Sequence, residues 1–243
     1  TPLTNFNVLS LSQKIINDYS SIGFINGSLN RESSFEDANN YAFMANIFDN
    51  KRAFSFKGYY YKTYSPRLSQ RSGQRKIITI EELKGNFRYW LHVHAADRYY
   101  NPNEIGFYNS KNFIQYGSRV SYQILNKNKY FRNFQTMLYL GYQTRYDSNL
   151  KNRNGFSFST SFQNNNLWRF SIRFRGVSKL KDWYETRTED RFILDPKYLT
   201  TTIGIDSDNT KKFSYGTDYI FTKYQNYQFD ENKKQNEFRF YVD

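Results

Sequence analysis

The 243-residue chain lacks cysteine and has only four prolines and two histidines. The absence of cysteine excludes a disulfide scaffold, a zinc site with thiolate ligands and a thiol nucleophile. Long hydrophobic runs are also missing, because the longest apolar stretches, such as 41–45 and 137–140, have four or five residues. A transmembrane helix needs about 18 or more apolar residues, so a helical membrane span is excluded. A membrane-spanning β-strand is not excluded, since only every second residue of such a strand has to be apolar.

Aromatic residues and positive charge are what the chain has in excess. Phenylalanine and tyrosine each occur 23 times and tryptophan three times, so that 20% of the residues are aromatic. A hydrophobic fraction of 38% with a net charge of +13 would suit a disordered chain, but disordered chains are poor in aromatic residues. We therefore expect a folded protein. The excess of basic residues means that a polyanionic partner has to be considered.

Apolar and polar residues alternate along most of the chain. Phe156, Phe158 and Phe162 fall on one side of an extended chain, and the serines between them fall on the other side. A period of two residues is typical of a β-strand with one polar face, and we find no convincing amphipathic helix. The other clear runs carry apolar residues at Phe87, Tyr89, Leu91 and Val93, at Tyr116, Val120, Tyr122 and Ile124, at Phe170, Ile172 and Phe174, and at Phe238, Phe240 and Val242.

Short polar turns alternate with longer connections between these strands. A meander with tight turns at one end and long loops at the other is the layout of an outer-membrane β-barrel. The pattern predicts about thirteen strands, many of roughly 10–15 residues, whereas strands of globular proteins average about five or six. We expect the short turns at 17–18, 49–50, 84–86, 126–129, 164–166 and 208–209, and the longer connections at 32–38, 65–74, 100–111, 147–152, 185–197 and 226–233.

The predicted fold is all-β: an antiparallel up-and-down transmembrane β-barrel, formed by residues 1–243 as a single domain. Bacterial single-chain barrels have an even number of strands, and an open sheet leaves two exposed edges. The alternating pattern also still continues at 238–243. We therefore expect the chain to be an incomplete segment of a larger barrel.

Three short stretches carry a resemblance to one family: 4–11 (TNFNVLSL), 20–23 (SSIG) and 101–107 (NPNEIGF). In this order and spacing they resemble the large outer-membrane barrel domain of unassigned function found in Bacteroidota proteins. In those proteins the barrel follows a module similar to family 9 carbohydrate-binding domains. The resemblance implies that this chain is an internal part of that barrel and lies in the bacterial outer membrane. The family's loop motif falls on Asn101, Pro102, Glu104, Gly106 and Phe107.

The loop motif departs from the family pattern at two places. Tyr100 precedes Asn101 where the family has phenylalanine, and Tyr108 and Asn109 stand where the family has a basic residue. The carbohydrate-binding-like module is not contained in this sequence, so sugar binding is not assigned to any residue here.

Residue types that catalysis needs are scarce. His92 and His94 would share one face of a strand, but a metal site needs a third and usually a fourth ligand. The nearest acid, Asp97, has the opposite strand parity. The pairs Glu81–Glu82 and Glu189–Asp190 are adjacent in sequence, so their carboxylates would point to opposite faces of a strand. We expect lumen-facing polar histidines, no metal, no cofactor and no enzymatic activity.

An arginine stripe is the most suggestive polar feature, formed by Arg169, Arg173 and Arg175, with Arg119 and Arg145 on other strands. If the apolar face of the barrel meets lipid, these residues must point inward, because arginine at the bilayer midplane costs about 2–4 kcal/mol. A basic lumen would favour anionic solutes or hold an acidic plug. In one alternative, Asp and Glu side chains on neighbouring strands pair with the arginines in a packed polar interior. In another, arginines and aromatic rings form a surface for single-stranded nucleic acid.

Aromatic clusters and basic loops suggest how the chain would meet a membrane. We interpret the clusters at 59–61, 99–100, 130–131 and 183–184, with Tyr224 and Tyr227, as aromatic girdles near strand ends. Basic residues in the connections suit anionic lipopolysaccharide or a partner protein; they are Arg67, Arg71, Arg75 and Lys76.

The sequence thus predicts an integral outer-membrane β-barrel that acts as a channel or as a structural subunit of an outer-membrane assembly. Its expected partners are membrane lipid, lipopolysaccharide and other outer-membrane proteins, and no nucleic acid is expected. The alternative is a soluble all-β binding module for glycan or single-stranded nucleic acid.

Overall fold

The computed structural model of this chain describes residues 4–31, 37–64, 72–102, 111–183, 191–225 and 232–242. Within these ranges the chain is all-β and contains no helix. Accordingly, no helix in them is long and apolar enough to cross a membrane. The strands are β1 (Thr4–Lys14), β2 (Ser21–Arg31), β3 (Ala38–Phe48), β4 (Phe54–Tyr64), β5 (Ser72–Glu82), β6 (Phe87–Ala96), β7 (Phe113–Ile124), β8 (Asn133–Thr144), β9 (Lys151–Gln163), β10 (Arg169–Val177), β11 (Leu180–Asp182), β12 (Ile193–Asp195), β13 (Lys197–Asp206), β14 (Tyr215–Gln225) and β15 (Lys233–Val242).

Thirteen of these strands form one antiparallel sheet in chain order, and β11 and β12 form a separate two-stranded ribbon in the connection between β10 and β13. The predictions of an all-β meander and of about thirteen strands are confirmed. The sheet is not closed, because among the described residues β1 is hydrogen-bonded only to β2 and β15 only to β14. A closed transmembrane barrel therefore stays a prediction.

The short turns lie where the sequence predicts them, and a local acceptor side chain explains most of them. The side-chain oxygen of Asn17 accepts the N–H groups of Tyr19 and Ser20 at 3.0 and 2.9 Å. The Asp49 carboxylate accepts the Ala53 and Phe54 N–H groups at 2.6 and 2.7 Å. Short amide and carboxylate side chains favour turns because they can bond nearby backbone in this way. The same role falls to Asn128, Asn164 and Asp208.

By contacts, the chain divides into two compact units. The first unit comprises Thr1–Lys84, Trp90–Gly117 and Gln143–Lys151. The second unit comprises Gly85–Tyr89, Ser118–Tyr142 and Asn152–Asp243. Each unit has an apolar face and a polar face of its own.

Strand register in the first unit gathers large apolar side chains on one side, which we call the first apolar face. Phe24 lies directly opposite Phe43, and Ile80 lies directly opposite Leu91. These side chains stay exposed: the exposed fractions are 51% for Phe43, 47% for Ile78 and 50% for Leu91. The face comprises Leu9, Leu11, Ile22, Phe24, Phe43, Phe56, Ile78, Ile80, Leu91 and Val93.

The opposite side of the first unit, the first polar face, is the more buried one. The exposed fractions of Ser55, Thr63 and Thr79 are 3%, 3% and 7%. Large apolar residues usually lie inside a water-soluble protein and polar residues outside, so the first unit reverses the common distribution. The charged and aromatic side chains of this face are Lys57, Tyr59, Tyr61, Arg75, Glu81, Trp90, His92 and His94.

The composition of the first apolar face changes along the strands. Phe54 and Phe56 lie next to the short turn between β3 and β4, whereas Lys62 lies toward the long connection at the other end of β4. Asn26 and Asn39 occupy the same polar end on β2 and β3. The apolar band therefore borders the short turns, and a polar band borders the long connections.

The second unit repeats the division into two faces. Phe158 lies opposite Phe174 and Phe162 opposite Phe170, with ring centroids 6.4 and 5.0 Å apart. The predicted alternation at 156–162, 169–175 and 238–242 is thus confirmed by the register. The second apolar face comprises Phe156, Phe158, Phe162, Phe170, Ile172, Phe174, Leu199, Ile203, Ile205, Tyr219, Phe221, Phe238 and Phe240.

The aromatic run 59–61 is not at a strand end, and that part of the girdle prediction is wrong. The run lies in the middle of β4, where Tyr60 belongs to the first apolar face and Tyr59 and Tyr61 belong to the first polar face. Three consecutive tyrosines hide the two-residue period because tyrosine suits both environments. Tyr184 and Tyr227 lie outside the described residues.

Candidate functional site

A charged network occupies the first polar face. The ammonium of Lys57 lies 2.5 Å from Oε1 of Glu81, and the Ser55 hydroxyl donates to the same oxygen at 2.9 Å. Ser55 lies directly opposite Glu81 in the sheet, and Lys57 follows on the same face. The side chain of Glu81 is only 14% exposed, so the nearby ammonium and hydroxyl compensate for its loss of water. Glu82 belongs to the opposite face, as predicted, and Glu189–Asp190 lie outside the described residues.

The two histidines share the first polar face, where neighbouring side chains form hydrogen bonds with both of them. The Nε of Arg75 donates to Nε2 of His94 at 2.8 Å, and the Thr79 hydroxyl and Nδ1 of His92 share a hydrogen bond of 3.0 Å. Trp90 stacks on His92 with centroids 4.8 Å apart. Across the described ranges, no group of three or more His, Cys, Asp or Glu residues is arranged to hold a metal ion. The histidines therefore extend the packed polar network.

The connection that follows β6 folds onto the first polar face at its long-connection end. The Asp97 carboxylate accepts the backbone N–H groups of Gln74, Tyr99 and Tyr100 at 2.8, 2.9 and 2.7 Å. A Cβ atom added to Gly73 would lie 2.2 Å from both N and Cα of Tyr100. Only glycine lets the Tyr99–Tyr100 backbone approach β5 so closely.

Tyr100 is the centre of the small hydrophobic core in the described residues. It is 5% exposed and clusters with Ala96 and Phe113, and Tyr61 packs against them. Burial raises the pKa of the Tyr100 phenol above its ordinary value, and the nearby Arg75 guanidinium opposes this effect. The ring thus fills space beside the polar face and keeps its proton at neutral pH.

The family-like loop motif begins at this anchored segment. The backbone N–H of Asn101 donates to the Thr63 hydroxyl of the first polar face at 3.2 Å. Asn101 and Pro102 lie within the described residues, whereas Glu104, Gly106 and Phe107 lie outside them. Of the described part of the motif, Asn101 thus contacts the first polar face through its backbone.

Three residues of the predicted arginine stripe lie together on the side of the second unit that is opposite the second apolar face, which we call the second polar face. Arg169, Arg173 and Arg175 occupy alternate positions of β10 and are all exposed. The guanidinium of Arg175 lies 5.9 Å from the centroid of the Tyr198 ring. Within the described ranges, Arg169 and Arg173 make no ion pair or hydrogen bond. Hydroxyl side chains flank the stripe on both neighbouring strands: Ser157, Ser159, Ser161, Thr200 and Thr202.

The other two arginines of the prediction have different settings. Arg119 is exposed in β7 of the second unit. Arg145 belongs to the first unit and is not in a strand, because β8 ends at Thr144. Its guanidinium is 2.9 Å from the Asp147 carboxylate, which also accepts the Asn112 amide at 2.9 Å. Burial would raise the pKa of Asp147, but hydrogen bonds from Arg145, Asn112 and Ser148 hold it below its ordinary value.

The predicted alternative of acids that neutralise the arginines is met only in part. Arg169 lies directly opposite Asp206, but Asp206 accepts a hydrogen bond from the Tyr241 hydroxyl. Arg239 forms an ion pair with Glu237, two residues before it on β15.

The sequence analysis missed Gly73 and the anchoring role of Asp97. A glycine two residues before Arg75 in an alternating strand was the available signal, since strand glycines often mark close backbone approach.

The family model described as "Domain of unknown function (DUF5916)" matches residues 1–243. No match was found among curated proteins, and none among solved structures. The match spans the whole chain, and the protein therefore belongs to the DUF5916 family.

Proposed function

We propose that this chain forms a wall segment of a β-barrel in the bacterial outer membrane. The observation that carries the proposal is the reversed burial of the two faces in the first unit, which recurs on β9, β13 and β14 of the second unit. In the second unit, Phe238 is 69% and Leu199 46% exposed, whereas Thr222 on the polar face is 8% exposed. Hydrocarbon would cover such apolar faces, and the polar faces would line or fill a lumen.

The two ends of the strands support an orientation in the membrane. Outer-membrane barrels have short periplasmic turns and longer extracellular loops. In the first unit the apolar band borders the short turns, so the short turns would face the periplasm and the polar band would extend outward. Strands β1 to β5 have 11 residues each, and a tilted transmembrane strand needs about 9–11 residues.

The strand number supports a larger barrel. In an antiparallel meander with an odd number of strands, the first and last strands are parallel, so antiparallel closure needs at least one further strand. We infer that the thirteen-stranded sheet is part of a larger barrel. This inference agrees with the resemblance to the Bacteroidota barrel domain that follows a carbohydrate-binding-like module.

Channel activity is the function that the second unit favours. Exposed arginines among hydroxyl groups would give a lumen a positive potential and an aqueous lining, which favours anionic solutes. A structural, non-conducting barrel is the second candidate, and the packed cluster of Tyr100, Ala96 and Phe113 on the first polar face favours it.

Membrane insertion is tested on the full-length protein by gel migration with and without heating. A folded barrel should migrate differently before heating and should need detergent for solubility. A monomer that is fully soluble without detergent would refute the proposal and favour a soluble binding module.

Conductance separates the two candidate roles. Planar bilayers that contain the full-length protein should show anion-selective current if the second polar face lines an open pore. An inserted barrel without current would favour the structural role, and cation selectivity would contradict the inward position of the arginines.

A further inference from the structure

A groove of about 830 Å³ runs across strands β1 to β5 on the first apolar face. Its floor is formed by Ala45 and Gly58, which lie directly opposite each other. Ile22 and Ile78 continue the same row on the neighbouring strands. Two adjacent small residues lower this row relative to the rows on either side, which carry large side chains.

Aromatic rings form the walls of the groove. Phe24, Phe43 and Tyr60 line the side toward the long connections, with successive ring centroids 4.9 and 6.4 Å apart. Phe56 lines the side toward the short turns. Four strand spacings give the groove a length of about 19 Å. An apolar groove of this length suits a fatty acyl chain, because the groove offers few polar partners to a sugar or a peptide.

Two lysines lie on the side of the groove that faces the long connections. The ammonium of Lys76 is 6.0 Å from the centroid of the Tyr60 ring, and Lys76 itself lines the groove. Lys62 is two residues beyond Tyr60 on the same face of β4. Both lysines are exposed, and in the part of the chain that the structure describes neither forms an ion pair. An apolar groove with two cations along one side matches an anionic headgroup that is joined to an acyl chain.

We propose that this groove binds an acyl chain of lipopolysaccharide, with a lipid A phosphate between Lys62 and Lys76. The inference rests on the proposed function. Both lysines lie on the long-connection side of the apolar band, which in that orientation is the level of the outer leaflet. The outer leaflet carries the phosphorylated glycolipid, whereas phospholipid of the inner leaflet would present its phosphates at the short-turn end.

The charge requirement is tested by native mass spectrometry of the full-length protein in detergent, titrated with lipid A or with phosphatidylglycerol. We expect one tightly bound lipid A per chain and weaker binding of phosphatidylglycerol. The variant K62Q/K76Q should lose affinity for lipid A by on the order of ten-fold or more. The matched control K14Q/K51Q removes the same charge at the short-turn end and should bind within about two-fold of wild type.

The groove itself is tested by two substitutions at Gly58. A Cβ atom there would meet only Phe56 ring atoms at 3.4 and 3.6 Å, so Gly58→Ala should fit and keep lipid A binding. Gly58→Leu would occupy the floor and should abolish the bound lipid. Unchanged binding by Gly58→Leu, or equal binding of phosphatidylglycerol and lipid A, would mean that lipid surrounds the protein without a specific site. Either result would overturn the proposal.

Gel migration of the same samples separates two kinds of failure. Each variant should show the heat-dependent shift of the wild type, which proves that it has folded into the barrel. Absence of that shift in the wild type would overturn the proposed function together with the groove. A normal shift without lipid A binding would overturn the groove alone.

Discussion

The polar faces of the two units are built in different ways. On the first polar face, charged side chains bind one another: Lys57 pairs with Glu81, and Arg75 donates to His94. On the second polar face, Arg169 and Arg173 are exposed and, among the described residues, without hydrogen bonds or ion pairs. Buried charge must be paired, whereas a solvated guanidinium needs no protein partner. Similar polarity thus produces a packed surface in one unit and an open surface in the other.

The largest difference between the units should appear when a methyl group is added to a glycine of each polar face. In Gly73→Ala the new Cβ would collide with the Tyr100 backbone, so we expect a loss of unfolding free energy on the order of 3 kcal/mol, or no folding. In Gly204→Ala the Cβ would meet Asp218 Oδ1 at 2.5 Å and Ser171 Oγ at 2.7 Å. These are side-chain ends that can rotate, so the loss should be smaller. Urea unfolding followed by tryptophan fluorescence measures both; equal losses would contradict the close approach at Gly73.

Removal of one acid from each unit should give the next largest difference. Glu81→Gln leaves the ammonium of Lys57 without its carboxylate in a mostly buried setting, so we expect a loss of about 1–3 kcal/mol in unfolding free energy. Glu237→Gln breaks the exposed pair with Arg239 and should leave the unfolding midpoint unchanged within error. The double variant Lys57→Met/Glu81→Met should recover part of the loss, because it removes both buried charges. Equal midpoints for the two single variants would remove the distinction between a packed and an open face.

Acid should weaken the first unit through Asp147, which ties the connection after β8 to Asn112. The folded pKa of Asp147 lies below its ordinary value of 3.8, so the stabilisation is complete above that value and is lost as the pH falls through the folded pKa. Relative to wild type, Asp147→Asn should lose less than about 1 kcal/mol at pH 7. This difference should shrink below pH of about 4. Unfolding curves at pH 7 and at pH 3 measure it, and a difference that grows toward low pH would contradict the assigned hydrogen bonds.

The smallest effect on stability is expected for the exposed arginines. Arg169→Gln and Arg173→Gln should change the unfolding free energy by no more than about 0.5 kcal/mol. Their combination should nevertheless reduce the anion selectivity of the inserted full-length protein, because it removes two charges from the open polar face. Arg75→Gln is the matched substitution on the packed face and should lower stability instead. Unchanged selectivity in the double variant would argue against an anion pathway along β10.

Much of the fold follows from local sequence. The alternation at 156–162 fixes which side chains share a face, and Asn17 and Asp49 mark turns because their side chains can cap nearby N–H groups. The run 59–61 was misjudged because three tyrosines carry no polarity contrast. Arg145 was placed in a strand that ends one residue earlier, since strand ends are weakly encoded in side-chain pattern.

The candidate sites were less accessible to sequence reasoning. The arginines of β10 could be assigned to one face because residues an even number of positions apart in a strand lie on the same side of the sheet. Lys57 and Glu81 pair although they are 24 positions apart in sequence. In the same way, the backbone of Tyr100, in the connection after β6, lies against Gly73 of β5. Such contacts depend on strand register, which no local pattern specifies in full.

Local sequence is sufficient to predict an all-β meander of about thirteen strands with one apolar and one polar side, because the two-residue period and the turn residues act over short range. The packing of one polar face, the openness of the other and the groove that Ala45 and Gly58 form beside Lys76 become visible only in the folded sheet. The physical reason is register: neighbouring strands bring together residues that are distant in sequence, and their combined size and charge set what each face can hold.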